Sequence, residues 1–165
     1  MVARKENESQ RTTVQKKSER EVVVTRTFDA PARLVFEAWS KPELFEKWWV
    51  PSSMGMTLRS CEMDVRTGGK YRLVFGDDPA NSTAFFGKYL EVVANKRIVW
   101  TNEEGGGEGS VTTVTFEERE GKTLLVMSEL YPTKEALDAA GTGAQEVLNE
   151  TFGQLDTLLA ELSAG

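Results

Sequence analysis

A chain of 165 residues, 39% hydrophobic and 28% charged, is long enough to bury one substantial core and has the composition of a globular protein. Its formal net charge of −6 is spread unevenly: residues 1–20 hold six Lys/Arg against three Glu, and the remainder is acidic, which argues against a broad nucleic-acid surface. There is no histidine, which excludes Ser-His-Asp and Cys-His nucleophile chemistry and nearly all zinc and non-haem iron sites, and no apolar run approaches the roughly 18 residues of a bilayer span.

Residues 1–20 read as a disordered, solubilising polar tail, because only Met1, Val2, Ala3 and Val14 are apolar there. The stretch lacks the apolar centre of a secretory signal, and the single Cys61 has no partner for an internal disulfide; both fit a cytoplasmic protein. One domain is expected over 21–163.

"EVVVTRTF" (21–28) is β-branched and alternates, so Val22, Val24, Arg26 and Phe28 share one face of a strand. "DAPARLVFEAWS" then changes period: Ala32, Val35, Phe36 and Trp39 form one stripe of a short helix, with Asp29 and Pro31 at its start. Ser40 and Glu43 have the spacing of a capping box, which predicts a second helix from Ser40. Within it Leu44 lies over Trp48 and Phe45 over Trp49, and Pro51 closes it. From residue 57 the pattern is β. "TLRSCEMDVR" leads through Gly68-Gly69 into "KYRLVF", where Tyr71, Leu73 and Phe75 share a face. "TAFFGKYLEVV" and "RIVWTN" flank a connection at Ala94–Lys96, and "SVTTVTFEE" and "TLLVMSEL" flank "REGK". "GDDPANS" and "EEGGGEG" read as loops, the glutamates of the second being unsuited to phosphate. Gly87, inside a strand, marks a bulge, a bend or the close approach of another group. A turn of helix at 133–140 precedes a long one in which Leu148, Phe152, Leu155, Leu159 and Leu162 make an apolar seam.

The expected fold class is α+β: about six to seven antiparallel strands, curved around a long C-terminal helix, with two short helices after the first strand. A curled sheet gripping a straight helix need not close everywhere, so an internal cavity is expected between sheet and helix.

The ordered segments "RTFDAPARLVFEAWSKPELFEKWWVP", "DVRTGGKYR", "GKYLEVV", "KRIVWT", "VTFEEREGKTLLVM" and "GAQEVLNETFGQLDTLL" resemble the START-like (SRPBCC) superfamily, in the branch homologous to the activator of the heat-shock-protein-90 ATPase. The resemblance spans about 22–162 and implies a helix-grip fold with an internal cavity. Members of the superfamily include lipid and hormone carriers, polyketide cyclases and chaperone cofactors. Many carry a tryptophan early in the last helix, where this chain has Val147 and Leu148.

Cavity candidates are therefore Trp39, Trp48, Trp49, Tyr71, Phe75, Phe85, Tyr89, Trp100, Met127, Leu148 and Phe152, each with a plain packing role as the alternative. Of the Trp48–Trp49 pair, one is expected to pack and the other to face the cavity. Arg26, on an apolar strand face, needs a partner if buried; Glu62, Asp64, Glu91 and Glu129 are available, and a structural ion pair is the leading reading over a polar cavity group. Arg66 has the same two readings. Glu62 and Asp64 share a strand face, the weak basis for a carboxylate enzyme of cyclase or hydrolase type. Cys61 reads as an inert thiol. The leading function is the binding of a small apolar or amphipathic molecule without catalysis, cofactor or metal; a chaperone-directed interaction module and the carboxylate enzyme are the alternatives.

Overall fold

The computed structural model describes residues 12–50, 58–76, 80, 82–103, 109–140 and 145–164, with the side chains of 139, 140, 145–149 and 164 left aside. The alternation of "EVVVTRTF" becomes β2 (Glu21–Phe28), and Val22, Val24, Arg26 and Phe28 all turn into the core. The period change gives α1 (Ala32–Ser40), which buries Ala32, Leu34, Val35, Ala38 and Trp39. Its first free N–H, on Ala32, donates to Glu118 Oε1 at 2.9 Å across the fold. Next comes α2 (Pro42–Trp48). The capping box does not form. Ser40 ends α1, with its hydroxyl 3.5 Å from the Glu37 carbonyl, and Lys41 is the N-cap of α2 without a side-chain bond. Pro42 overrides it: a ring with fixed φ and no N–H is already suited to the first helical position.

The remaining strands are β3 (Leu58–Met63), β4 (Lys70–Gly76), β5 (Ser82–Val93), β6 (Arg97–Thr101), β7 (Val111–Arg119) and β8 (Lys122–Leu130). Two helices end the chain, α3 (Lys134–Ala140) and α4 (Gln145–Ala164). With β1 (Thr13–Lys16) the sheet has eight strands, all paired antiparallel, in the order β1-β2-β8-β7-β6-β5-β4-β3. The architecture is the α+β helix-grip arrangement, one strand richer than expected. The extra strand departs from the expected disordered tail at its C-terminal end alone: Thr13 to Lys16 pair with Thr25 to Val22, and Thr12 is fully buried. Composition misses such a strand, because an edge strand can be held by backbone pairing and one anchoring hydroxyl. Residues 1–11 lie outside the described residues.

Tight turns set the registers. Glu120 (φ 54) and Gly121 (φ 80) occupy the left-handed region within "REGK", joining Arg119 to its partner Lys122. Asn95 (φ 63) does the same between β5 and β6. The long helix packs its seam on the β2 side of the sheet. Phe152 meets Phe28 edge-on at 5.5 Å, and Phe152, Leu155 and Leu159 are essentially sealed from solvent. Leu158, outside the expected seam, is buried beside them.

At Gly87 the close-approach reading is the observed one. A Cβ there would lie 2.0 Å from the Thr101 carbonyl oxygen, and that same oxygen accepts the Tyr71 hydroxyl at 2.7 Å. Tyr71 is the cross-strand partner of Gly87, so its ring lies over the strand the glycine leaves bare. A Gly87→Ala variant must displace β6 backbone rather than a flexible side chain. Chemical denaturation is expected to show a loss of about 1–3 kcal/mol.

Candidate functional site

The gap in the fold lies between the helix pair α1–α2 and the β3–β6 half of the sheet. It is a cavity of about 330 Å³. Trp39 of α1, Phe45 of α2, and Trp49 and Val50 just beyond α2 form one wall; Met63, Tyr71, Leu73, Phe75, Phe85, Tyr89, Ile98, Trp100 and Asn102 form the other. No described side chain of α4 lines it. This corrects the expected placement against the long helix, which is occupied instead by the Phe152–Leu159 packing on Phe28. Helices of nine and seven residues cover less of the sheet than the 20-residue helix does, so the space remains on their side.

Local sequence explains the wall. The i, i+4 pair Phe45 and Trp49 stacks at 4.8 Å with planes 26° apart. Trp39 touches Trp48, Trp49 and Trp100 at ring distances of 4.9, 5.8 and 5.9 Å, so all four tryptophans of the chain meet in one cluster. Trp48 is fully buried and donates its indole N–H to the Ala38 carbonyl at 2.9 Å. Trp49 is half-buried and turned to the cavity. The end of α2 is held by Gln154 of α4, whose amide donates to the carbonyls of Trp48 and Val50, each at 2.9 Å. The α4 helix therefore positions the cavity wall, and none of its described side chains contributes to it.

The polar corner is internally satisfied. The Tyr71 hydroxyl donates to Thr101, and Asn102 Oδ1 stands 3.3 Å away. Asn102 Nδ2 donates to the Ser110 carbonyl, the Ser110 hydroxyl and Thr112 Oγ1. Ser110 in turn donates to Glu129, which also meets the Tyr131 hydroxyl; burial and that carboxylate push Tyr131 up to about 12. Burial pushes the Tyr89 hydroxyl up as well, with Cys61 and Asp64 adding to it. The Trp39 indole N–H is buried without a partner among the described residues.

Seven of the sequence-derived candidates line the cavity: Trp39, Trp49, Tyr71, Phe75, Phe85, Tyr89 and Trp100. Trp48, Met127 and Phe152 are packed in the core outside it, and the side chain of Leu148 lies outside those described. Four polar candidates are displaced. Arg26 is 7% exposed and pairs with Asp156 of α4, not with Glu62, Asp64, Glu91 or Glu129; its other amino group donates to Thr12 Oγ1 at 2.8 Å. Glu62 is exposed on the outer face, Asp64 pairs with exposed Arg66 at 2.8 Å, and Glu91 pairs with Arg97 at 2.6 Å. In β3 alternation explains this: the residues on either side of Glu62, Cys61 and Met63, take the inner side. Phe45, Val50, Met63, Leu73, Ile98 and Asn102 were missed. Leu73 and Phe45 carried a signal, sharing a strand face with Tyr71 and a helix stripe with Trp49; Asn102 carried none.

Cys61 is half-buried, 3.5 Å from Met63 Sδ, and burial with the charges of Glu46 and Glu43 pushes its thiol from 9.0 to about 11. The folded protein thus resists forming the thiolate. Stability linked to this group is complete below pH 9.0 and declines as pH rises toward about 11. Alkylation by iodoacetamide at pH 8 is expected to run about a hundredfold slower than for a small free thiol with the ordinary value, and to keep accelerating with pH through 10. A rate that levels off near pH 9 would contradict this.

No match is found among curated proteins. Solved structures do match. A Rhodobacter sphaeroides protein superposes with a TM-score of 0.82 at 24% identity, covering 92% of this chain and 99% of its own. A Staphylococcus epidermidis protein does so at 0.76 and 29% identity, covering 90% and 94%. An AHSA1-like protein of Aeromonas hydrophila reaches 0.66 at 18%, covering 82% and 92%. The family model described as "Activator of Hsp90 ATPase homolog 1-like protein" matches residues 29–160, which is most of the chain and all the elements that build the cavity, and the protein belongs to that family.

Proposed function

We propose that the protein binds a small apolar or amphipathic molecule in the cavity between the helix pair and strands β3–β6. The observation that carries this reading is the lining: among the described residues, twelve of thirteen are aromatic or aliphatic, counting Met63, and Asn102 is the exception. A volume near 330 Å³ falls at the small end of the range for ligand sites. Burying about 200 Å² of apolar ligand surface there contributes roughly 5 kcal/mol before the costs of association, which supports micromolar binding in a pre-formed site. Titration with the neutral probe N-phenylnaphthylamine is expected to raise probe emission and to shift the indole N–H resonances of Trp49 and Trp100. Unchanged indole resonances at saturating probe would overturn the reading.

A second reading, a cofactor-like contact with a chaperone ATPase, is favoured by the description of the family. Phe86 and Leu90, 40% and 45% exposed on β5, offer it an outer surface. It predicts a changed chaperone ATPase rate at saturating protein; an unchanged rate counts against it. The carboxylate-enzyme reading has less support, since Glu62, Asp64 and Glu91 stand outside the cavity. A cytoplasmic setting fits the lone thiol, and no described helix is long and apolar enough to cross a membrane.

A further inference from the structure

We propose that the cavity selects by charge: it takes an aromatic cation, an ammonium group carried on a flat ring system, and turns away carboxylate-bearing amphiphiles. The inference rests on the reading of the cavity as a ligand site. Its walls are rich in π faces, among them Trp39, Trp49, Trp100, Tyr71 and Tyr89, and no lining residue among those described is Lys or Arg. Ring faces carry the negative end of a quadrupole and attract cations, most strongly where water is thin.

The donors placed to receive an anion are already committed. Tyr71 gives its hydroxyl proton to the Thr101 carbonyl, and the Asn102 amide gives its protons to Ser110 and Thr112. Trp39 Nε1 is the one buried unpaired donor on this wall among the described residues. A single neutral N–H does not replace the hydration a carboxylate gives up on entry. Arg26, the cation buried in the core, is spent on Asp156 and Thr12 at the β1–β2 side. Carboxylates outside the cavity add to this at longer range: exposed Glu43 and Glu46 of α2 act on Cys61 behind the wall, and Asp64, though paired with Arg66, acts on the lining Tyr89. A ligand cation is therefore drawn by rings and carboxylates together, whereas an anion meets both as a cost.

Three probes of one shape separate the possibilities: naphthylmethyl-trimethylammonium, its uncharged neopentyl isostere, and naphthylacetate. Each is titrated into the whole protein by calorimetry, with indole N–H resonances followed in parallel. The expected order places the cation at least about tenfold tighter than the carboxylate, a difference of about 1.4 kcal/mol, and no weaker than the isostere. Any other order among probes that bind overturns the charge preference and leaves the cavity reading standing. If none of the three binds, both fall.

Discussion

Replacing Asp156 with alanine is expected to remove about 3–5 kcal/mol of stability, because it strands a buried cation that cannot shed its proton. Arg26 sits on the inner face of β2 between Val24 and Phe28, its guanidinium 5.5 Å from the Phe28 ring, and is 7% exposed. Its hydrogen bonds go to Asp156 and Thr12, and its Nε has no partner among the described residues. Loss of Asp156 leaves one neutral hydroxyl to face the charge. Burying the pair carries its own desolvation cost, however. Burial, with the charge of Asp29 adding to it, pushes the Asp156 carboxyl above its ordinary 3.8 against the pull of Arg26. Desolvation opposes the attraction, and an Arg26→Met, Asp156→Leu double variant is expected to match or exceed the parent. The sign follows for pH. A carboxyl raised on folding contributes stability that is complete below 3.8 and is lost as pH climbs through its folded value. The double variant should lack that component. Urea midpoints of the parent, the single and the double variant across pH 3 to 7 test all three statements; a single variant as stable as the double would sink the stranded-charge account.

Much of this arrangement was legible in the residues. Alternation in 21–28, the "REGK" turn and the leucine seam of α4 all carry their periods locally, and each became the expected element. Gly87 was also legible, since a glycine in a strand interior has few physical reasons to be there. What escaped depended on pairing at long range. Strand β1 is short and polar and exists because β2 offers it an edge. Asp156 lies 130 positions from Arg26 on a helix, whereas the acids considered for Arg26 were on strands. The cavity was expected against α4 because only that helix is long enough to cover a sheet. Length is why it covers its share so well, leaving the void beneath the two helices too short to do the same. Asn102 is one polar residue at a strand end, and nothing in its neighbours marks it as the cavity's polar corner.

The adjacent tryptophans should part company under mutation. Trp48→Ala removes a side chain with no exposure, its N–H bond to Ala38, and ring contacts to Trp39 at 4.9 Å and Phe152 at 6.3 Å. It also joins α1, α2 and α4, so the hole cannot collapse without moving all three. The expected cost is about 3–5 kcal/mol. Trp49→Ala removes a half-buried ring whose main partners are Phe45 and Trp39, for a cost on the order of 1 kcal/mol. The backbone it leaves is still fixed, because Gln154 holds the carbonyls on either side of residue 49. Its effect belongs in the cavity: affinity for a neutral aromatic probe should fall several-fold at nearly full stability. Measuring denaturation and probe binding on both variants separates the roles. If Trp49→Ala proves as damaging to stability as Trp48→Ala, or leaves probe affinity untouched, Trp49 is a packing residue, and the wall between α2 and the sheet loses the side chain that gives it a binding face.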